Sequence, residues 1–491
     1  MAAPRIVFAA AEISPLAKTG GLGDVVGSLP TALQPYCHTI TVALPFHEEI
    51  PRQQLKQLKC LDRFELVVNH KPITVTVWQA RTIHSTVPLL LFKQDTYLSR
   101  GKVYDGLSVL NPLTGKLATK DSLGQRLKYL FFSYALHAYL RRHPRAFTIV
   151  HGHDFHVAPA LALVHTDPAL QHMRTVITIH NLRYTGSLLP HYWKLFQPSL
   201  IPLFDLTEAK RLYGPRMLWL GLRWADAITT VSPQYAKEIL TPQYGGDFAA
   251  LLQQRRQNLF GIINGIDTAQ FNPATDPNVR HHFSWRTIQR RADNKLLLQR
   301  ECGLPVDPTI PLVGMVARLT VQKGFHLVIN AMKQLSALPI QLVICGTGRT
   351  EFMRGLHTAM QRYPKQWYFH DAFDTVFSQH VYAGSDIFLM PSRHEPCGLA
   401  QLIAMRYGSV PVVRSTGGLK DTVTEGDNGF LFNRYASTTM LAGVQRAVKV
   451  YQTQPKQWQQ LMRHGMTADY TWKASAKLYS DLYKRVLRSA N

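Results

Sequence analysis

The chain has 491 residues, too many for one compact core and about right for two domains with their connections. Hydrophobic residues make up 46% and charged residues 18%, which is the composition of an ordinary globular protein. No apolar run approaches the roughly 20 residues that a membrane-spanning helix needs. The first residues hold too short an apolar stretch for a signal peptide. We therefore expect a cytoplasmic protein with no membrane partner.

The net charge is strongly basic, +24 from 55 lysines and arginines against 31 acidic residues. Basic clusters are typical of nucleic-acid binding. Here the densest clusters, 141–145 and 290–291, are short, and no helix-turn-helix or zinc-finger spacing accompanies them. We therefore expect no nucleic-acid partner and a solvated basic surface that suits an anionic ligand. The five cysteines are scattered without a C-x-x-C pair, which predicts reduced thiols.

The first half of the chain alternates short apolar runs with longer amphipathic segments, which predicts a parallel α/β sheet. Buried strands are expected at 5–10, 39–44, 147–151, 176–180 and 227–232. After the last of them, Ser232 is a candidate N-cap and Pro233 a candidate first-turn residue of a helix.

The same pattern then starts again, with strands expected at 259–266, 311–317, 340–345, 386–390 and 409–413. The segment 245–258 carries no strand signal. We therefore predict an N-terminal domain at 1–258, a second α/β domain at 259–470 and a terminal helix at 471–491. Two such sets predict two Rossmann-like domains that face a cleft, with ligands beyond the carboxyl ends of the strands. In the terminal helix, one face carries Trp472, Ala476, Tyr479, Tyr483 and Val486.

The first chemical motif is Lys18-Thr-Gly-Gly-Leu-Gly-Asp-Val, which follows the first strand and opens a helix. Glycines let the backbone approach a ligand, and helix N-terminal N–H groups favour anions. A dinucleotide fingerprint is an alternative, but the glycines begin well after the strand, and no acidic residue ends the second strand. A P-loop is excluded because Lys18 precedes the glycines. A flexible turn without a ligand remains the other interpretation.

The second motif, Pro391-Ser-Arg-His-Glu-Pro-Cys-Gly-Leu, places Glu395 just after a buried strand. A lone glutamate in a loop is more often solvated than catalytic, but Pro396 fixes the backbone beside this one. The turn Thr416-Gly-Gly offers N–H groups that we expect to face a diphosphate. Upstream, Arg318 and Lys323 follow another strand, and they either neutralise a leaving diphosphate or are ordinary surface cations.

Four histidines lie at or just past strand ends, namely His151, His153, His156 and His180. A metal site is one interpretation of the His-x-His-Asp run. Since no further ligand set accompanies it, we do not expect a metal.

Seven motifs occur in a fixed order and together closely resemble the bacterial and plant glycogen and starch synthases of glycosyltransferase family 5. They are Lys18-Thr-Gly-Gly-Leu-Gly-Asp, His151-Gly-His-Asp-Phe-His, Ile179-His-Asn-Leu-Arg-Tyr-Thr-Gly, Ile263-Asn-Gly-Ile-Asp, Arg318-Leu-Thr-x-Gln-Lys-Gly, Pro391-Ser-Arg-x-Glu-Pro-Cys-Gly-Leu and Arg414-x-Thr-Gly-Gly-Leu-x-Asp-Thr-Val. The resemblance implies a GT-B fold, with an acceptor-side domain at 1–258, a nucleotide-sugar-binding domain at 259–470 and the terminal helix returning to the first domain. It also implies retaining transfer of glucose from ADP-glucose to the non-reducing end of glycogen or another α-1,4-glucan, with no cofactor and no metal.

The same resemblance assigns site residues. It implies a catalytic set of Glu395 at the transferred glucose, His180 beside it, Asp154 near the reaction centre, and Arg318 and Lys323 on the diphosphate. It implies a donor-binding set of Lys18, Gly20, Gly21, Asp24, Asn264, Cys397, Gly398, Thr416, Gly417 and Gly418. Phe155 and His394 depart from the residues that the family often carries there. The alternatives are another retaining GT-B transferase that uses UDP-glucose, and a non-catalytic glucan-binding or nucleic-acid-binding protein of the same fold.

Overall fold

The computed structural model describes residues 3–118, 120–204 and 215–488. They divide into two compact units. Unit 1 contains the described residues up to Val231, Ala236–Gly265 and the segment from Trp472 onward, and unit 2 contains Ser232–Tyr235 and Ile266–Thr471. None of the helices in the described ranges is long and apolar enough to cross a membrane.

The sheet of unit 1 has nine strands within the described ranges, in the order β3-β4-β5-β2-β1-β6-β7-β8-β9. Strand β4 is antiparallel to both of its neighbours, β3 and β5. The strands are β1 Arg5–Ala9, β2 Thr39–Pro45, β3 Leu55–Val68, β4 Lys71–Thr82, β5 Pro88–Lys93, β6 Ile149–His153, β7 Arg174–Ile179, β8 Ala227–Thr230 and β9 Leu259–Gly261. The central strand β6 is buried throughout, as expected where helices cover both faces of a parallel sheet.

The helices of unit 1 connect these strands. They are Gly21–Leu33, Asp121–Arg142, Ala158–Thr166, Pro190–Trp193, Met217–Trp224, Pro242–Gly245, Ala249–Gln254 and Trp472–Arg488. A short helix, Pro233–Glu238, begins in the small segment of unit 2 and ends in unit 1. Its predicted cap is confirmed, because the backbone N–H of Tyr235 donates to Ser232 Oγ at 3.2 Å.

Unit 2 is built on a sheet that, among the described residues, has six parallel strands in the order β12-β11-β10-β13-β14-β15. The strands are β10 Leu312–Val316, β11 Gln341–Cys345, β12 Trp367–His370, β13 Ile387–Met390, β14 Val410–Arg414 and β15 Phe430–Phe432. This order is that of a doubly wound Rossmann sheet, whose topological switch point lies between β10 and β13.

Helices cover both faces of this second sheet. They are Arg291–Glu301, Phe325–Asn330, Met332–Ser336, Thr350–Arg362, Thr375–Gly384, Ala400–Arg406, Gly417–Thr422, Ser437–Thr453 and Pro455–Thr467. Successive residues of β11 pack into different cores, Leu342 and Ile344 in one and Val343 and Cys345 in another. Successive side chains point to opposite faces of the sheet, and both faces are buried. Each strand is therefore a continuous apolar run in the sequence.

One predicted strand belongs to a different sheet from the one the sequence indicated. The sequence predicted that 259–266 opens the second set. The structure instead pairs Leu259–Gly261 with β8, as the last strand of the first sheet. Unit 1 accordingly continues to Gly265, beyond the expected boundary at 258. Which strands lie side by side depends on contacts between residues that are far apart in the sequence. An apolar run alone does not reveal those contacts.

The terminal helix runs from Trp472 to Arg488, and the predicted end at 489–491 lies outside the described residues. Its predicted apolar face is buried. Tyr483 Oη lies 2.7 Å from His151 Nδ1, and Ser475 Oγ donates to the carbonyl of Ile263 at 2.6 Å. The helix therefore packs into unit 1, as the resemblance implied.

Candidate active site

In unit 1, the sequence motifs meet at the carboxyl end of the sheet. The strand order reverses between β1 and β6, so this edge has a switch point like that of a doubly wound sheet. The Lys18 motif follows β1, Asp154 follows β6 directly, and His180 follows β7 directly. Three motifs that are far apart in the chain are therefore brought to one edge.

The glycine loop after β1 is held by a glutamate that sequence reasoning missed. Glu12 is 2% exposed, and its Oε2 accepts the backbone N–H groups of Thr19 at 2.7 Å and Gly20 at 2.8 Å. Its other oxygen accepts the hydroxyl of Tyr104 at 2.5 Å. A buried carboxylate with three donors fixes the loop without using Lys18 as its partner.

The helix that follows the loop begins without a capping side chain. Gly20 is its N-cap, in an extended conformation, and Gly21 is its first residue. A side chain at Gly20 would meet nothing within 4 Å, so the space in front of this helix is open. The unsatisfied N–H groups of a first turn favour an anion.

A cation lies beside this helix start. Lys18 Nζ contacts Asp24 Oδ1 at 2.6 Å, and both side chains are partly exposed. Burial raises the pKa of Asp24 despite the attraction of Lys18, which opposes the shift. Lys18 and Asp24 therefore form a charged pair at the same open helix end.

Asp154 has a strained backbone and a perturbed carboxyl group. Its φ is 56°, a left-handed conformation that non-glycine residues rarely adopt. The side chain is 5% exposed and accepts the backbone N–H of His180 at 2.7 Å. Burial raises the pKa of Asp154 to about 7, and the nearby Glu12 carboxylate adds to the effect. Perturbed carboxyl groups of this kind cluster at functional sites.

The histidines near Asp154 form a buried neutral cluster. His180 Nε2 lies 2.9 Å from His153 Nδ1, and His151 Nε2 lies 2.6 Å from Thr178 Oγ1. Burial lowers the pKa of His151, His156 and His180 to about 3. In the described residues, no group of three or more His, Cys, Asp or Glu side chains is arranged to hold a metal ion. His151 is used instead to bind Tyr483 of the terminal helix.

Asn264, also in unit 1, carries an unsatisfied polar atom. The residue is buried, and its Oδ1 has no hydrogen-bond partner among the described residues. A buried acceptor without a donor costs free energy, about 1–3 kcal/mol. An unsatisfied acceptor in a predicted donor-binding motif is consistent with a group that a ligand completes.

In unit 2, the candidate residues flank the switch point of the second sheet. Arg318 and Lys323 follow β10, and Glu395 follows β13, the two strands on either side of the reversal. Lys323 Nζ donates to Glu395 Oε2 at 2.6 Å, and Ser392 Oγ donates to the same oxygen at 2.9 Å. The sequence predicted the two charged residues separately, and the structure joins them in one ion pair.

The Glu395 carboxylate is buried, and only one of its two oxygens accepts hydrogen bonds. The residue is 5% exposed, and its Oε1 makes no hydrogen bond to the described residues. Arg318 is exposed and likewise has no hydrogen bond or ion pair within the described part of the chain. The site therefore presents one carboxylate oxygen and one guanidinium to a ligand.

The Thr416-Gly-Gly turn braces the Glu395 loop. The Gly418 N–H donates to the carbonyl of Glu395 at 3.0 Å, and the Thr416 N–H donates to that of Arg414 at 2.9 Å. A Cβ at Gly417 would lie 1.9 Å from the Glu395 carbonyl oxygen, so only glycine fits there. The sequence predicted that these N–H groups face a diphosphate, whereas two of them are used inside the fold.

Cys397 and Gly398 complete the same loop. Cys397 is buried, and none of the five cysteines, all of which lie in the described ranges, forms a disulfide. Gly398 has a φ of 75°, in the left-handed region. The turn places Cys397 between Glu395 and the helix Ala400–Arg406.

Sequence reasoning quoted Arg414 only as the first residue of a motif, without a role, and did not name Phe373. Arg414 donates to the carbonyls of Ser392 at 2.9 Å and Arg393 at 2.6 Å, and so holds the Glu395 loop from the end of β14. Phe373, just after β12, is 79% exposed. The exposure of this ring beyond the carboxyl end of a Rossmann strand is visible only in the structure, since an isolated phenylalanine after a strand gives no signal in the sequence.

Comparison with known proteins agrees with this geometry. A family model of starch synthase catalytic domains matches residues 5–254, and a model of group 1 glycosyl transferases matches residues 303–461. The catalytic domain of starch synthase IV from Arabidopsis thaliana, solved with ADP and acarbose, has a TM-score of 0.86 and 29% identity. The match covers 99% of this chain and 100% of that one. Sucrose-phosphate synthase from Thermosynechococcus elongatus, at a TM-score of 0.60 and 16% identity, shares the fold alone. The two Rossmann-like units therefore define a glycosyltransferase of the GT-B fold, as predicted.

Relatives in sequence identify the family within this class of glycosyltransferase. Glycogen synthase from Streptococcus sanguinis is 36% identical over 98% of this chain and 100% of its own length. Glycogen synthase from Thermotoga maritima is 35% identical over 98% of this chain and 99% of its own length. The chain belongs to the family of bacterial and plant glycogen and starch synthases, and its activity is transfer of glucose onto a growing α-glucan. This confirms the resemblance seen in the sequence.

Proposed function

We propose that this protein elongates α-1,4-glucan chains with glucose from ADP-glucose, retains the anomeric configuration and releases ADP in the cytoplasm. The observation that carries the proposal is the Lys323–Glu395 ion pair at the switch point of unit 2. It combines a cation for a diphosphate with a buried carboxylate oxygen for a sugar. Five cysteines that form no disulfide among the described residues are consistent with a reducing compartment.

The charges suit the chemistry of glycosyl transfer. As the glucose–phosphate bond breaks, positive charge develops on the sugar and negative charge on the leaving nucleotide. Arg318 and Lys323 stabilise the diphosphate, and the free oxygen of Glu395 stabilises the sugar. In unit 1, Lys18 and the open helix start at Gly21 form a positive region of their own that suits an anionic group.

The departing diphosphate serves as the base. The bond from the sugar C1 to the phosphate oxygen breaks, the bond from C1 to the acceptor hydroxyl oxygen forms, and the hydroxyl proton moves to the diphosphate on the same face. In this proposal, His180 stays neutral beside the sugar because burial lowers its pKa to about 3. Asp154, whose backbone is held in the left-handed region, orients the His180 main chain.

The candidate site residues determine the identity of the nucleobase less than that of any other part of the donor. Phe373 offers an exposed aromatic face at the carboxyl end of β12, on which a base of either kind can stack. The choice of ADP over UDP is supported by the Arabidopsis starch synthase IV structure, which contains ADP. We propose that unit 2 binds the nucleotide and that unit 1 binds the glucan.

Nucleotide release tests this proposal. The protein is incubated with glycogen and either ADP-glucose or UDP-glucose, and the released nucleotide is measured alongside incorporation of labelled glucose. We expect ADP-glucose to be used in preference, with one glucose incorporated per ADP. Preference for UDP-glucose would refute the donor assignment, and release without incorporation would refute glucan elongation. A Phe373→Ala variant should raise KM for the donor with little change in kcat.

A further inference from the structure

The turn between β1 and the first helix of unit 1 is closed at its base by main-chain bonds. The backbones of Ile13 and Ala17 exchange two hydrogen bonds of 2.9 Å each, and the Ser14 N–H donates to the carbonyl of Gly23 at 2.9 Å. One neighbour of Lys18 along the chain, Ala17, is therefore fixed by the backbone alone.

The other neighbour of Lys18 is fixed by a side chain. Glu12 is 2% exposed, and its Oε2 accepts the Thr19 N–H at 2.7 Å and the Gly20 N–H at 2.8 Å. Tyr104 donates its hydroxyl to Oε1 at 2.5 Å. Short bonds to a carboxylate hold a turn more firmly than bonds between neutral groups. The backbone of Lys18 is thus held on both sides, and Glu12 sets the direction in which the lysine side chain leaves it.

The Lys18 side chain passes the Glu12 carboxylate without bonding to it. A Cβ built on Gly23 would lie 3.1 Å from Lys18 Cγ and 3.2 Å from Glu12 Oε2, so both groups border the same glycine. Lys18 Nζ nevertheless pairs with Asp24 at 2.6 Å, where both side chains are partly exposed. Both Glu12 oxygens already accept hydrogen bonds, and moving the ammonium inward would cost its hydration. The ammonium therefore stays at the surface, where an anion can reach it.

We propose that Glu12 is a positioning residue for Lys18, which holds the turn so that the lysine ammonium meets an anionic group of the nucleotide-sugar donor. The inference rests on the proposed function, since it takes that donor as the ligand of Lys18. Glu12 touches no substrate and acts only through the turn. A buried carboxylate near a helix N-terminus reduces the positive potential there, so the hydrogen bonds of Glu12, and not its charge, carry the effect.

A double-mutant cycle tests whether Glu12 acts through Lys18. Binding of ADP without glucan is measured by isothermal titration calorimetry for the parent protein, Glu12→Ala, Lys18→Gln and the double variant, with UDP as a second probe. We expect each single change to raise the Kd about tenfold, the effect of losing one charge-assisted hydrogen bond. The double variant should also lose about tenfold and not about a hundredfold, because a displaced lysine and an absent lysine have the same consequence. In steady-state kinetics, KM for the donor should rise with the Kd, and KM for glycogen should stay within about twofold.

Two matched variants separate the bonds of Glu12 from its charge and from general stability. In Glu12→Gln, the amide oxygen can still accept both N–H groups of the turn and the NH₂ group can donate to the Tyr104 oxygen, so the Kd for ADP should stay within about twofold of the parent value. Asp226 makes the same kinds of bond elsewhere in unit 1, since its Oδ2 accepts the Thr175 N–H at 2.7 Å and the Thr175 hydroxyl at 2.9 Å. Asp226→Ala should lower the thermal midpoint and leave the Kd for ADP unchanged.

Three results would overturn the proposal. Additive losses of about a hundredfold in the double variant would mean that Glu12 acts independently of Lys18. A folded Glu12→Ala that binds ADP as the parent does would make the carboxylate merely structural. An equal loss in Glu12→Gln and Glu12→Ala would assign the effect to charge.

A milder variant covers the case in which Glu12→Ala does not fold. Tyr104→Phe removes one of the three donors to Glu12 and should raise the Kd about threefold, but only when Lys18 is present; an equal rise in the Lys18→Gln background would overturn the proposal. Failure of the parent protein to transfer glucose would refute the proposed function, and the nucleotide titrations would still decide the role of Glu12. If the parent binds UDP alone, the donor assignment fails and the same cycle is measured with UDP. A parent that binds neither nucleotide would refute both.

Discussion

Replacement of Glu395 by glutamine tests the central ion pair. The amide keeps an oxygen that accepts from Lys323 and Ser392 in the places now used by Oε2. Each hydrogen bond loses only its charge assistance, so the free energy of unfolding should fall by about 1 kcal/mol. Loss of the negative charge at the developing sugar cation should lower kcat by about 10²–10³-fold.

The affinity for ADP should not fall together with kcat in the Glu395→Gln variant. Glu395 now neutralises Lys323 at 2.6 Å, so its removal frees the ammonium for the diphosphate. We therefore expect the Kd for ADP to stay the same or to decrease while kcat falls. Titration calorimetry with ADP and steady-state kinetics at saturating glycogen measure the two quantities.

A matched control separates chemistry from general charge effects. Glu351 pairs with Arg349 at 3.3 Å on the surface of unit 2, where both side chains are about half exposed. Glu351→Gln should change kcat by less than about twofold, since exposed pairs contribute little. If Glu395→Gln weakened ADP binding by the same factor as kcat, the carboxylate would be a structural brace and the reasoning above would be wrong.

Three further predictions concern the remaining site residues. Lys18→Gln should raise KM for the donor about tenfold with the thermal midpoint unchanged, because Lys18 is partly exposed and pairs only with Asp24 among the described residues; unchanged kinetics would exclude a phosphate contact. Alkylation of Cys397 should inhibit the enzyme and bound ADP-glucose should protect it, which peptide mapping of the modified thiol checks; an active enzyme alkylated at that residue would contradict the assignment. For Asp154, burial raises the pKa above its ordinary value, so the native state holds a proton that the unfolded state has lost between about pH 4 and 7. The Asp154 carboxyl therefore makes stability fall as pH rises through that range, and Asp154→Asn should gain in thermal midpoint relative to the parent protein from pH 4 to pH 7; a constant difference would refute the shift.

Much of the fold was predictable because its signals are local. Each buried strand of a doubly wound sheet is a short apolar run, and the Glu395 motif follows such a run, which is why Glu395 was a candidate. Asp154 became a candidate only through the resemblance to the glycogen and starch synthases. Strand β3 was missed, since register shifts between Lys56 and Lys59 and between Cys60 and Asp62 break the alternation that identifies a half-buried strand.

The supporting residues of the site were missed because, apart from the bonds of Glu12 to Thr19 and Gly20, their contacts are distant in the sequence. Glu12 binds Tyr104, 92 residues away, and Arg414 reaches the carbonyl of Ser392, 22 residues away. No spacing rule connects such pairs. The Lys323–Glu395 pair spans 72 residues and is visible only once β10 and β13 lie side by side.

The position of the helix Trp472–Arg488 has a consequence for the order in which the protein folds during synthesis. This helix buries Tyr479 and Tyr483 in unit 1, whose other residues all precede position 266. The ribosome therefore completes the whole of unit 2 before it supplies the last element of unit 1. Until then, the nascent first unit exposes the apolar surface that Tyr479 will cover and leaves His151 without its tyrosine partner. The unit that is begun first is the last to be finished, and during that interval its uncovered apolar surface is open to aggregation.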